Sequence, residues 1–315
     1  MKYKFVDYAT QGYTLLVGLL ILLFHNATVP HWRWLFASHI TILLIIHFVV
    51  RRYEAGRSGP VVDFLRHFYP VLLYAWFFSE TGWLNRMFFH DYLDAVAIRL
   101  DQAVFGFQPA MLFMEKLPYL VVSELFYASY FSYYVMIAGV GFALYARNRS
   151  QFFHYVSVVS FVFYFCYAIY ILLPIIGPRV FFHDLAEYTL PDQLQRLAPV
   201  VSYPGAVKGG LFFRVMAFIY RVFEAPGAAL PSSHVAIALC TVWFSFRYLR
   251  AIRYVHLVVA LLLCLATVYC RYHYAVDVLT GVLTAALLVP LGNWLYSRTS
   301  PVLEKVEIPS SRGDG

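Results

Sequence analysis

Apolar residues occupy the chain in long blocks separated by short polar connections. Eight blocks, near residues 8–25, 34–50, 67–83, 118–146, 152–174, 231–248, 254–271 and 276–297, approach the ~20 residues a helix needs to cross a bilayer. The first two are the clearest, in TLLVGLLILLF and ITILLIIHFVV; the third, around PVLLYAWFF, is the shortest. Two stretches break the pattern. Residues 84–117 interleave Asp91, Asp94, Arg99 and Asp101 among Phe, Leu and Val, which predicts an amphipathic helix lying at the interface rather than a span. Residues 175–230 form a long connection interrupted by Pro191, Pro199, Pro204 and Gly205. Within it LFFRVMAFIYRVFE predicts a second surface helix, with Arg214 and Arg221 one heptad apart. The expected fold is all-α, a polytopic bundle of about eight transmembrane helices. Residues from Ser300 on read as a frayed tail.

Composition agrees with this reading. Of 315 residues, 61% are hydrophobic and only 13% charged, against about 25% charged in soluble domains. Cys166, Cys240, Cys264 and Cys270 fall in apolar runs or at their edge, so they read as buried thiols rather than a disulfide framework. Lys2 and Lys4 precede an apolar run with no small-residue cleavage site, and the first span is expected to remain as an uncleaved insertion signal.

The net charge of +7 would suggest a nucleic-acid partner, but its distribution points to topology instead. If eight spans alternate from an inner N-terminus, one side collects 14 of the 24 Lys and Arg residues, and its short connections RRYEAGR, ARNR and RYLRAIR are all basic. Positive charge in short loops marks the cytoplasmic side. Both termini are therefore expected there, the 175–230 connection on the extracytoplasmic side, and no nucleic acid is needed.

Three stretches return to that extracytoplasmic side: Gly177-Pro178-Arg179, Leu230-Pro-Ser-Ser-His234, and YCRYHYAVD ending at Asp277. Ionisable groups at the edge of a span are costly unless used. His234 and His273 are one span in and one span back apart, so both reach the same bilayer face. Asp277 lies one helical turn from His273 and can fix its tautomer, leaving the other ring nitrogen nucleophilic. His234 has the chemistry of a general acid. Arg179 and Arg271 can clamp phosphate oxygens, while Ser232, Ser233 and the amides of a helix opening near Pro231 add donors. Together these groups make a candidate phosphoryl-transfer site working by positioning and electrostatics.

PSSH followed at this spacing by HYAVD resembles the second and third signature motifs of the type-2 phosphatidic acid phosphatase superfamily, which includes vanadium haloperoxidases. GPR resembles a shortened first motif. RYHYAVDVLTG and DQAVFGFQP (Asp101 to Pro109) are similar to the branch containing inositol phosphorylceramide synthases. The resemblance implies a six-helix catalytic core, a phosphohistidine on His273 oriented by Asp277, and His234 as acid and then base. It assigns phosphate binding to Arg179, Ser232 and Arg271, and implies no metal or other cofactor. The division expected is 1–94 N-terminal transmembrane helices, 95–297 catalytic membrane domain, 298–315 flexible cytoplasmic tail. Expected partners are a lipid phosphate or phospholipid substrate, an alcohol acceptor where the reaction is transfer, and the membrane lipids.

The sequence departs from the family pattern at three places. Leu172 stands where a first-motif lysine is usual, with Lys208 the nearest substitute. Ala266-Thr267 replaces a third-motif Ser-Arg, a role Arg271 is expected to fill. Ser233 replaces a glycine. Other polar residues have blander readings: His39 and His47 as interhelical hydrogen-bonding groups rather than a proton path, Asp101 as a local cap or a local pair, and Glu124 as a partner for an arginine or a substrate hydroxyl. The competing function is a transporter or channel using the ionisable cluster as a path, which predicts polar groups facing one another at mid-span.

Overall fold

The computed structural model describes residues 3–57, 59–182, 203–223 and 225–299. The tail expected at 298–315 lies almost wholly outside these residues, as do Pro191 and Pro199. The described residues form a helical protein with no strand. Eight long helices run along the bundle: α1 (Phe5–Phe24), α2 (Trp32–Glu54), α3 (Pro60–Leu84), α6 (Leu120–Arg147), α7 (Arg149–Leu172), α11 (Ser233–Tyr248), α12 (Arg253–Tyr269) and α13 (Ala275–Thr299). Five of these, α1, α2, α6, α7 and α13, are long and apolar enough to cross a membrane by length and composition alone; α12 is apolar but shorter. Short helices α4 (Asp94–Phe105), α5 (Pro109–Lys116), α8 (Pro178–Phe181), α9 (Gly205–Lys208) and α10 (Leu211–Phe223) fill the long connections.

The third span is longer than its apolar stretch suggests. α3 begins at Pro60, whose fixed φ suits the first helical turn, and continues through Pro70 for 25 residues. The stretch read as one interfacial helix is two, because Gly106 adopts φ +78° and ends α4, and Pro109 opens α5. The 211–223 helix forms as expected and lies against α6.

α7 is the axis of the bundle. Its most apolar window is 72% buried, and it packs on α1, α3, α6, α11 and α13. Outward faces carry apolar stripes at helical spacing: Val255, Val258, Leu261 and Leu265 on α12, and Leu279, Leu283, Leu287 and Leu291 on α13. Surfaces of that extent need hydrocarbon, not water, as their solvent. The molecule is thus a polytopic membrane bundle.

Polar pairs tie the helices together. Arg66 on α3 donates two hydrogen bonds of 2.9 Å to Asp7 on α1, and Tyr69 donates a third of 2.6 Å. His47 meets Tyr3 Oη at 2.9 Å, and His39 lies 3.5 Å from Glu80, so both histidines face neighbouring helices. At the end that holds Asp7 and Arg66, Lys4 and Arg66 lie over Phe153, and Arg147 reaches the Tyr248 carbonyl. The basic connections therefore gather at one end of the bundle, while α11 opens and α12 closes at the other.

Candidate active site

α4 organises the site end. Asp94, Ala97, Ile98 and Asp101 occupy one face of it and are all fully buried. Val96, Leu100 and Val104, on the other faces, are exposed. Asp94 accepts hydrogen bonds from the amides of Ile176 and Gly177, both 3.0 Å, and from Tyr274 Oη at 2.8 Å. Asp101 accepts from the amides of Ala275 and Val276, at 3.1 and 2.8 Å. That carboxylate caps the first turn of α13 from another element, where the helix dipole favours negative charge. One short helix thus fixes both the loop that carries Arg179 and the turn that carries His273. Burial pushes the Asp94 carboxyl up to about 7 and that of Asp101 up to about 6, against the opposing pull of these donors.

The turn after α12 places His273. Arg271 adopts a left-handed φ of +62°, and the amides of Tyr272 and His273 both bond to the Thr267 carbonyl. α13 then starts, and Asp277 Oδ2 accepts from the Tyr274 amide at 2.9 Å while lying 3.4 Å from His273 Nδ1. The other ring nitrogen, Nε2, faces His234 Nδ1 at 3.4 Å.

His234 stands in the first turn of α11, and three contacts fix that turn. Ser232 Oγ accepts from the Val235 amide, the Ser232 amide donates to the Asp277 carbonyl at 3.0 Å, and Tyr170 on α7 braces the start. Tyr170 Oη donates to the Pro231 carbonyl at 2.8 Å and accepts from the Ser233 amide at 3.1 Å. Gly281 lets α13 close tightly on the start of α11, since a Cβ there would meet the Ser232 carbonyl oxygen at 2.7 Å and Val235 Cβ at 3.0 Å. Tyr130 and Tyr133 on α6 flank the His234 ring, with centroids 4.9 and 4.6 Å away.

Among the described residues, Arg179, His234 and His273 line one cavity of about 40 Å³ to which no described carboxylate contributes. The Arg179 guanidinium sits 4.8 Å from the Tyr220 ring centre, and Tyr220 stacks on Tyr272 at 4.2 Å. Gly177 allows this approach: its φ is +88°, and a Cβ would meet the Tyr272 carbonyl oxygen at 2.7 Å. Asp277 stands behind His273. Ser232 is buried at the helix start with its hydroxyl turned to Val235, and Ser233 is buried beside it. Arg271 lies outside the cavity lining, buried with its guanidinium 5.2 Å from the Tyr203 ring centre. Lys208 is exposed at the end of α9, and Leu172 is exposed at the end of α7.

Four residues of this architecture escape a sequence reading: Asp94, Tyr170, Tyr220 and Tyr272. Glu124 has a different place from the one expected. Its carboxylate accepts from the amides of Leu211 and Phe212 at 3.0 and 3.1 Å and caps α10 rather than pairing with an arginine.

No curated protein and no solved structure gives a significant match to the chain. A family model described as the PAP2 superfamily matches residues 97–291, well over half of the chain, and takes in Arg179, His234, His273 and Asp277. The chain therefore belongs to the PAP2 superfamily and is an enzyme of phosphatase type.

Proposed function

We propose that the protein is a lipid phosphate phosphatase or phosphotransferase acting through a phosphohistidine on His273. The observation that carries this reading is the line Asp277–His273–His234, with successive contacts of 3.4 Å, and the cavity that His273 and His234 share with Arg179. Asp277 holds the proton on His273 Nδ1 and leaves Nε2 as the nucleophile. Nε2 attacks phosphorus, the bond to the leaving oxygen breaks, and protonated His234 donates its proton to that oxygen. In the second step neutral His234 takes a proton from water or an alcohol, whose oxygen attacks phosphorus and displaces His273. Arg179 balances the charge on the non-bridging oxygens, and the first amides of α11, with Ser232 and Ser233, lie at the positive end of a helix dipole. Arg271 supports the same pocket from behind the turn.

Water as acceptor gives hydrolysis; an alcohol gives transfer. The RYHYAVDVLTG form supports transfer of a phosphoinositol-type headgroup to a lipid alcohol. The bias of short basic connections supports a site on the extracytoplasmic face with both termini cytoplasmic. The gathering of ionisable groups at one end of the bundle favours an enzyme over a transporter path.

Purified protein incubated with labelled lipid phosphates, with and without inositol or a lipid alcohol, is expected to release free phosphate or form a new phospholipid. Micromolar vanadate is expected to inhibit either outcome, because it adopts the five-coordinate geometry of the transition state. Turnover is expected to persist in EDTA, since the described residues hold no cluster of three His, Cys, Asp or Glu side chains fit to bind a metal. Indifference to vanadate, or loss in EDTA that added metal restores, would overturn this mechanism.

A further inference from the structure

A second cavity, of about 400 Å³, opens beside the first and shares Phe78, Tyr220 and His234 with it. It is a cleft between α3 and α6 with α7 at its back. Along α7 its lining runs from Phe152 to Tyr167, roughly 22 Å at 1.5 Å per residue. Among the described residues the other polar side chains on its wall are hydroxyls, and several of these are engaged: Tyr74 with Ser160 at 2.7 Å, Tyr155 with Thr241 at 3.2 Å, and Tyr220 with Tyr130 at 2.5 Å. At the far end Phe68 packs on Phe142 and Phe152, with ring centres 6.0 and 5.3 Å apart, and makes a floor.

We infer that this cleft holds one hydrocarbon tail of the lipid phosphate and that the phenyl floor limits its length. The inference rests on the lipid-phosphate reading of the site and adds a tail-measuring function to it. Continuity carries the argument: a phosphate against His273 Nε2 places its ester substituent at His234, the group that stands at the mouth of the cleft. The cleft is long, narrow and apolar, which suits one extended chain. Its α3 wall, with Phe68 of the floor, precedes residue 97, where the family match begins, so the chain's own N-terminal helices contribute to the length limit.

The test is a series of monoalkyl phosphates of graded tail length in detergent micelles. Gly141 lines the cleft on α6, where a Cβ would come no closer than 3.6 Å to the Tyr155 ring. Gly141→Phe fills the lower cleft and is expected to lower the ratio of kcat/KM for the longest to the shortest substrate about tenfold or more. Phe68→Ala removes the floor and is expected to move the optimum to longer tails. The ratio corrects for the amount of folded enzyme. Equal change across the series in both variants, whether none or complete, overturns the cleft assignment while the site reading stands on wild-type turnover. Wild-type protein inert toward the whole series overturns the lipid-phosphate reading and the cleft assignment together.

Discussion

Replacing His273 with alanine is expected to lower turnover of a lipid phosphate by about four orders of magnitude or more. Among the described residues lining the cavity, this imidazole is the one with a carboxylate 3.4 Å from one ring nitrogen and its other nitrogen facing the second histidine. His234 cannot take over, because its ring is held between Tyr130 and Tyr133 and has no carboxylate partner in the described contacts. The fold should survive. The backbone of the turn is anchored by the Thr267 carbonyl and by Asp101, neither of which depends on the His273 side chain. His273→Gln keeps much of the volume and a polar tip, so an equal loss in that variant would separate nucleophilicity from packing. Wild-type protein quenched during turnover should carry an acid-labile phosphoryl group that both variants lack. Retained turnover in His273→Ala would remove the nucleophile assignment.

The second large effect is expected at Asp94, which lies on no catalytic path. Asp94→Ala leaves the amides of Ile176 and Gly177 and the hydroxyl of Tyr274 buried without their acceptor. At about 1–3 kcal/mol per orphaned group, three groups give a destabilisation of roughly 3–9 kcal/mol. Turnover should fall about a hundredfold, because the loop bearing Arg179 loses its anchor and small misplacements of a charge clamp are costly. Asp94→Asn keeps one acceptor and should lose less. pH offers an independent readout. The folded carboxyl titrates at about 7 against an ordinary value of 3.8, so between those values the folded state binds more protons than the unfolded chain. Stability must then fall as pH rises through that window. Melting temperatures in detergent should show that slope in the wild type and a shallower one in Asp94→Asn. A wild-type stability that rises from pH 4 to pH 7 with the same slope in the variant would contradict the buried clamp.

Asp94 also shows where the sequence runs out. The eight long helices are legible because apolar runs of this length have few alternatives in any solvent. The two histidine motifs are legible because their residue types and spacing are unusual. The 84–117 stretch is not, because alternation of charged and apolar residues has two solutions in a membrane protein. A face of Asp, Ala, Ile and Asp at positions 94, 97, 98 and 101 can meet water, or it can turn inward and leave Val96, Leu100 and Val104 to the lipid. The second solution is the one realised, with the polar face inside. Ala97 and Ile98 were the available signal, since a wetted polar face gains nothing from them. Glu124 was misread for a related reason: its partners are backbone amides far along the chain, which carry no residue-type signature. Tyr170 is one of 26 tyrosines, and nothing local sets it apart.

The crossing at Gly281 has a mechanical consequence. With only a hydrogen on the Gly281 side, the start of the neighbouring helix presses directly on this backbone, so the gap between the imidazoles is a dimension of the scaffold rather than of a flexible loop. A methyl group added at this point would act as a shim, wedging the acid away from the nucleophile while every reacting atom kept its identity. Enzyme with Gly281→Ala should therefore still take up lipid and vanadate yet turn over slowly, and vanadate affinity measured beside kcat would tell that spacing defect from a lost ligand.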